Sequence, residues 1–141
     1  GYTIGAMMIF PSNKVDGTMT INSARGFNQS IADRMDLTLE CIRRHYVGQV
    51  SPLAETLARY ADFFSLFETF SGYVDFFLLD DLVDKSQGAV RFFMPFDDFA
   101  PPSVPRDVDS YKEYRRRSIE FIVARNRRIV DWCKTTQAVV G

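Results

Sequence analysis

Five side chains carry the densest candidate chemistry in this sequence: Asn22, Arg25, Arg34, His45 and Arg125. The string TINSARGFN sets Asn22, Ser23, Arg25, Gly26 and Asn28 between a strand-like segment and the start of a helix. Backbone N–H groups at a helix N-terminus favour anions, and a guanidinium beside them adds a bidentate clamp. Arg34, one turn into the expected helix, is placed to face the same spot. His45 shares a flank of that helix with Arg34, and Arg125 falls at the angle of Tyr114, Phe121 and Trp132 on the last helix. The chemistry implied is recognition of an anionic ligand: a nucleotide, a phosphate or a nucleic-acid backbone. The competing reading is structural, and it is the commoner outcome for such residues. There Asn22 and Asn28 satisfy a turn, Arg25 pairs with a local carboxylate and Arg125 stacks among aromatic rings.

Covalent catalysis has weaker support. Cys41 and His45 are four apart and therefore neighbours on one helix face. Side by side they leave little room for a substrate, and nothing near them supplies an oxyanion hole. The simpler expectation is a half-buried His45 donating to a carbonyl of the next segment. Arginines precede it by one, two and eleven positions, which fails the Arg-x(4–6)-His signature of small helical ribonucleases. No GxSxG, GxxxxGK[ST] or GxGxxG string occurs, so the hydrolase elbow and the phosphate loops are excluded. One histidine and two cysteines without a CxxC give no metal site and no cofactor. Cys41 and Cys133 are read as free buried thiols rather than a disulfide.

Bulk properties bound the rest. A chain of 141 residues suits one domain, expected over residues 1–134 with 135–141 as a tail. Thirteen phenylalanines within a 14% aromatic share imply a dense core. A net charge of −1 leaves no global field to draw nucleic acid or anionic lipid. Locally the charge is uneven. Asp75, Asp80, Asp81, Asp84, Asp97 and Asp98 face only Lys85 and Arg91, whereas the segment from Asp109 to Lys134 holds eight basic residues against four acids. The two segments are expected to lie together, or one of them to face a partner. No stretch approaches the ~18 consecutive apolar residues of a membrane helix. The opening GYTIGAMMIFP lacks the basic leader of a signal peptide, so a cytoplasmic setting without membrane contact is expected. It also lacks an initiator methionine, which reads as a piece of a longer protein.

The elements that must position these residues follow from local signals. Tyr2–Phe10 is apolar, Asp16-Gly17 is a strong turn pair and TMTIN alternates, which together predict an N-terminal hairpin. IADRMDLTLECIRRHY predicts a helix capped by Ser30 and closed by Gly48. Its stripe is Ile31, Met35, Leu39, Ile42 and Tyr46, with Asp36, Glu40 and Arg43 on a solvated flank. Ser51-Pro52 opens a second helix with Leu53, Leu57, Tyr60, Phe64 and Phe67 inward, broadened by Phe63, Leu66 and Phe70. GYVDFFLLDDLVD suits strand or helix, with helix preferred. AVRFFMPF is a candidate short strand, a loop with Pro101, Pro102 and Pro105 follows, and a long helix runs from Asp109 to Cys133. The fold class expected is α+β, predominantly α-helical, with a small N-terminal β-hairpin.

The strings MMIFPSNKVDG, TINSARGF, IADRMDLTLECIRRHY, RYADFFSLF, GYVDFFLLDDLV, FFMPFDDF and YKEYRRRSIEFIVARNRRI together resemble an uncharacterised family of bacterial proteins, a domain of unknown function. The resemblance runs nearly end to end and leaves out the tail TTQAVVG. It implies a bacterial setting and a further N-terminal segment ahead of this chain, and it transfers no activity. Two functions stand open: a domain that binds an anionic small molecule or nucleic acid, with or without acting on it, or a non-catalytic interaction module completed by a missing N-terminal segment or a protein partner.

Overall fold

Residues Met35–Ile42 are buried on every side, and the other elements are arranged around them. They form the first two turns of α2 (Met35–Val47), which ends at Gly48 with a left-handed φ of 72°, where a side chain would be strained. The computed structural model describes residues 4–100 and 104–140.

The start of α2 departs from the sequence expectation. Ala32 and Asp33 take left-handed φ values of 51° and 60°, so the helix cannot begin at Ile31, and Ser30 does not cap it. The Ser30 N–H donates instead to Asn28 Oδ1 at 2.8 Å. The expected solvated flank is also absent, because Asp36 and Glu40 are buried with Leu37. A helix sunk this deep carries polar groups inward only where partners await them.

Among the described residues no N-terminal hairpin forms. Ile4–Ala6 is a 3-10 turn, and TMTIN leads into α1 (Ile21–Phe27), with the Thr20 side chain accepting from Ser23 N–H at its start. Tyr2 and Thr3, in the expected first arm, lie outside the described residues. The physical reason is a competing partner. The Gly5 N–H donates to Asn126 Oδ1 at 2.7 Å, and Arg125 takes the carbonyls of Gly5 and Met7. Backbone groups that a strand would have paired are therefore held by the last helix. A Cβ at Gly5 would stand 2.6 Å from the Ile122 carbonyl oxygen, so only glycine permits this approach.

The hairpin of the molecule lies later. β1 (Val83–Asp84) pairs antiparallel with β2 (Ala89–Val90), Val83 opposite Val90, with both valines buried. The fold is α+β and mostly helical, as expected, with the strands elsewhere. The expected second helix is two short ones, α3 (Ala54–Ala58) and α4 (Ala61–Ser65). Leu53, Leu57, Tyr60 and Phe64 are its buried stripe, but Leu66 is exposed. The Tyr60 hydroxyl donates to the Asn13 carbonyl at 2.8 Å and ties the break to the N-terminal loop. α5 (Phe70–Phe76) ends near Leu78, whose φ is 56°, and a 3-10 turn (Asp80–Leu82) leads into β1. The 72–84 region is thus helix, turn and strand in succession, and AVRFFMPF is strand only at its first two residues.

α6 (Val108–Val140) is one helix of 33 residues, roughly 50 Å long at 1.5 Å per residue, and it passes the expected end at Cys133. Asp107 Oδ1 accepts the Ser110 N–H at its start. Pro101 and Pro102 of the preceding loop lie outside the described residues. The two oppositely charged segments do meet, Arg128 pairing with Asp81 at 2.5 Å, while Asp75 and Asp80 are taken by Lys85. Among the described residues no helix is long and apolar enough to cross a membrane.

Candidate functional site

The five sequence-predicted residues do not gather in one place. Asn22 is exposed in the first turn of α1. Arg25, from the last turn of that helix, is buried and fully engaged. It donates to Thr38 Oγ1 at 2.9 Å, to Asp33 Oδ1 at 2.8 Å and to the Asp33 carbonyl at 3.1 Å. Burial pulls its pKa down and Asp33 opposes the shift. These bonds hold the left-handed turn that precedes α2, which is the paired, structural role weighed against a ligand role. Asn28 satisfies the same turn, its carbonyl accepting from Ile31 and Ala32.

Arg34 is buried against Asp36, which it meets through Nε at 3.0 Å and through a second, shorter bond. The Asp36 carboxylate also accepts the N–H of Leu37 at 3.0 Å and of Phe93 at 2.9 Å. The Arg34 guanidinium lies 5.3 Å from the Tyr114 ring centroid and borders a cavity of about 400 Å³ that also carries Asp97, Asp98 and Asp107. Three carboxylates outnumber Arg34 and Arg106 on its walls, and Arg34 is already engaged by Asp36, which makes that cavity a poor receptor for an anion.

His45 sits at the far end of α2, half-buried, its ring 5.1 Å from Phe64 and 5.8 Å from Tyr46. Burial lowers its pKa and favours the neutral ring. One turn earlier, Cys41 is fully buried and its thiol is pushed up to about 11, chiefly by that burial. Such a shift is the wrong direction for a nucleophile. Cys133 is also free but exposed, not buried as expected.

Arg125 is a clasp. From α6 it donates to the Phe77 carbonyl at 2.9 and 3.3 Å, to the Gly5 carbonyl at 3.2 Å and to the Met7 carbonyl at 2.5 Å. Three distant segments of chain are thereby joined on one guanidinium. Arg25 and Arg125 both act electrostatically on the buried Tyr73 hydroxyl, although desolvation dominates and raises its pKa. Arg25 and Arg34 also meet at Thr38, whose hydroxyl accepts from Arg25 Nε at 2.9 Å and donates to the Arg34 carbonyl at 2.7 Å.

A further cleft, of about 480 Å³, lies elsewhere, between α6 and the chain leaving β2. Arg91 N–H donates to the Leu82 carbonyl at 2.8 Å, extending the hairpin pairing by one residue. The Phe93 N–H is anchored on Asp36. Those two bonds fix the intervening backbone, so that Arg91 faces solvent while Phe93 turns into the core. Phe93 packs 6.0 Å from Phe121, and with Phe92 they give the cleft an aromatic floor. Arg91, Arg116 and Arg117 line it against Asp81 and Glu120.

The charges of this cleft are unevenly engaged. Asp81 is held by Arg128 from outside. Glu120 pairs with Arg116 at 2.8 Å, and Glu113 accepts from both Arg116 and Arg117 at 2.6 Å. Those two arginines hold the Glu113 carboxyl far below its usual range, at about 2. Arg91 forms no direct ion pair and no side-chain hydrogen bond among the described residues, and its charge reaches only across the hairpin to Asp84, whose pKa it helps to lower after the bonds from Ser86 and Gln87. Its position was legible in part, since a residue following Val90 in a strand alternates outward when Val90 faces in. The RRR run could also have been paired from sequence, because Glu113 and Glu120 stand at i−3, i−4 and i+4 spacings. Among the described residues no group of three or more His, Cys, Asp or Glu is arranged to hold a metal ion.

Fold and cleft together define a mostly helical α+β domain with an internally paired central helix and an arginine-rimmed, phenylalanine-floored surface cleft. The chain belongs to a family of unknown function, DUF6994, whose model matches residues 1–129. No curated protein and no solved structure matches the chain.

Proposed function

We propose that this domain binds a small ligand bearing an anionic group and a planar apolar part, seated in the cleft between α6 and residues 91–93. The observation that carries the reading is Arg91, an exposed guanidinium without an ion-pair partner at the rim of a cleft floored by Phe92, Phe93 and Phe121. A volume of about 480 Å³ falls within the range of small-molecule sites, where apolar walls supply area and a few polar groups fix orientation. An arginine is the side chain whose planar fork matches a carboxylate or phosphate. The anionic class of ligand is the one read from the sequence, but its contacts move from Arg25 and Arg34, which are engaged by Asp33 and Asp36, to Arg91. A bacterial cytoplasmic setting, as the resemblance implies, would expose the cleft to carboxylated and phosphorylated metabolites.

The alternative, a non-catalytic interaction module, draws support from Ile119, Val123, Val130 and Trp132, all substantially exposed on α6. Charge asymmetry supports it less than before, because Arg128 and Asp81 satisfy one another.

The test uses benzoate and phenyl phosphate as probes in isothermal titration calorimetry. Wild type is expected to bind at least one of them, and Arg91→Gln to weaken that binding by about tenfold or more, the scale of one charge-assisted contact. Equal affinities in the two proteins, or no heat with either probe, would overturn the reading.

A further inference from the structure

Glu113 does not line the cleft, yet it controls two of the three arginines that do. Its Oε1 accepts from Arg116 and from Arg117 Nε, both at 2.6 Å, and its Oε2 accepts from Arg116 Nε at 3.1 Å. Glu120 takes the remaining arm of Arg116 at 2.8 Å. Arg117 is further tethered by Nη1 to the Phe92 carbonyl at 3.3 Å. Of the three, Arg91 alone holds no carboxylate already, so it receives an anion with its full charge uncompensated by a direct pair. One guanidinium complements one carboxylate through two parallel N–H···O bonds. A phosphomonoester carries more negative charge at neutral pH and needs a second cation.

We propose that Glu113 is a specificity-determining residue which, by occupying Arg116 and Arg117, restricts the cleft to monoanionic aromatic ligands of the carboxylate class. This inference rests on the cleft reading above. Glu113 acts through the arginines, as a positioning residue on the outer side of α6. Its carboxylate is an internal stand-in for the second charge of a dianion. Removing that charge frees two guanidiniums at the rim and should invert the preference.

The experiment compares benzoate with phenyl phosphate on wild type, Glu113→Gln, Arg91→Gln and Glu55→Gln. The last alters the net charge by the same amount from an exposed position on α3, outside the cleft. Wild type should favour benzoate. Glu113→Gln should tighten phenyl phosphate by about tenfold while benzoate changes little, and Glu55→Gln should change neither. If wild type binds benzoate through Arg91 but Glu113→Gln shifts both probes equally, or neither, the Glu113 inference fails alone. A wild-type preference for phenyl phosphate overturns it as well. If Arg91→Gln leaves benzoate binding intact, the cleft reading fails and the inference with it. Urea unfolding of Glu113→Gln checks that a lost response is not a lost fold.

Discussion

Two helices, α2 and α6, share an abundance of arginine and carboxylate but use it in opposite ways. In and around the start of α2, Arg34, Asp36 and Glu40 are all buried, as is Arg25, which reaches the preceding turn from α1. Each is matched: Arg25 with Asp33, Arg34 with Asp36, Glu40 with Arg43 at 2.6 Å. Away from water an unmatched charge is too costly to keep, so burial enforces a partner for each charge, and Glu40 meets Arg44 as well, at 3.5 Å. Along α6 the pairs of Glu113, Arg116, Arg117 and Glu120 are solvent-exposed, where such pairs contribute little to stability. Arg125 is the instructive exception. It lies on α6 but is buried, and its partners are backbone carbonyls that fix the fold. Burial decides whether an arginine is structural, and among the exposed ones a carboxylate on the same helix decides whether it is available.

Replacing Asp36 breaks the buried side of this comparison most severely. Asp36→Ala leaves the Arg34 guanidinium without its counter-charge and removes the acceptor of the Leu37 and Phe93 N–H groups. A buried pair cut on one side costs about 3–5 kcal/mol, which corresponds to a fall in Tm of roughly 10 °C or more for a domain of this size. Calorimetric melting measures it. A loss below about 1 kcal/mol would mean that the pair behaves like an exposed one and that the contrast between the helices is false.

His45 probes the same helix at its half-buried end, with a smaller effect. Burial lowers its folded pKa, whereas the unfolded chain titrates it near about 6.5. Between those two values the unfolded state binds more protons, so stability falls as pH falls. The contribution is complete above about 6.5 and is lost as pH drops through the folded value. Urea midpoints at neutral pH and near pH 5 should therefore move further apart in wild type than in His45→Gln, the carboxylates titrating alike in both. An identical pH slope in the two proteins would mean that the end of α2 tolerates charge as a surface does.

Much of this contrast was beyond reach in the sequence, for identifiable reasons. Gly48 marked the end of α2 correctly because a left-handed closure is a local requirement, and Leu53, Leu57, Tyr60 and Phe64 were recognisable as one buried stripe. The start of α2 was not, since the left-handed pair Ala32 and Asp33 is held by Arg25 from another helix. Asp36 and Glu40 looked solvated because periodicity assigns charges outward, and only tertiary partners such as the Phe93 N–H reverse that. The hairpin was misplaced for the same reason: Gly5 and Met7 find their partners on α6, about 120 positions away in the chain. Spacing reveals pairs such as Glu113 with Arg116 and Arg117, which lie within one helix. The cleft itself requires β2 and α6 to be brought together, which no local pattern encodes.

The smallest effect is expected from Arg91→Gln, and its smallness is informative. The Arg91 backbone N–H keeps its bond to Leu82 in the variant, and the side chain surrenders no ion pair. Exposed substitutions of this kind usually leave stability nearly unchanged, so Tm should stay within about 2 °C of wild type. Arg25 and Arg34 could not be replaced so quietly, because Thr38, Asp33 and Asp36 would be left with unmet groups. A clear fall in Tm for Arg91→Gln would place this arginine with the structural ones and remove its availability to a ligand. An unchanged Tm together with weakened benzoate binding would separate the two classes of arginine within a single variant, since the residue would then matter to binding without mattering to the fold.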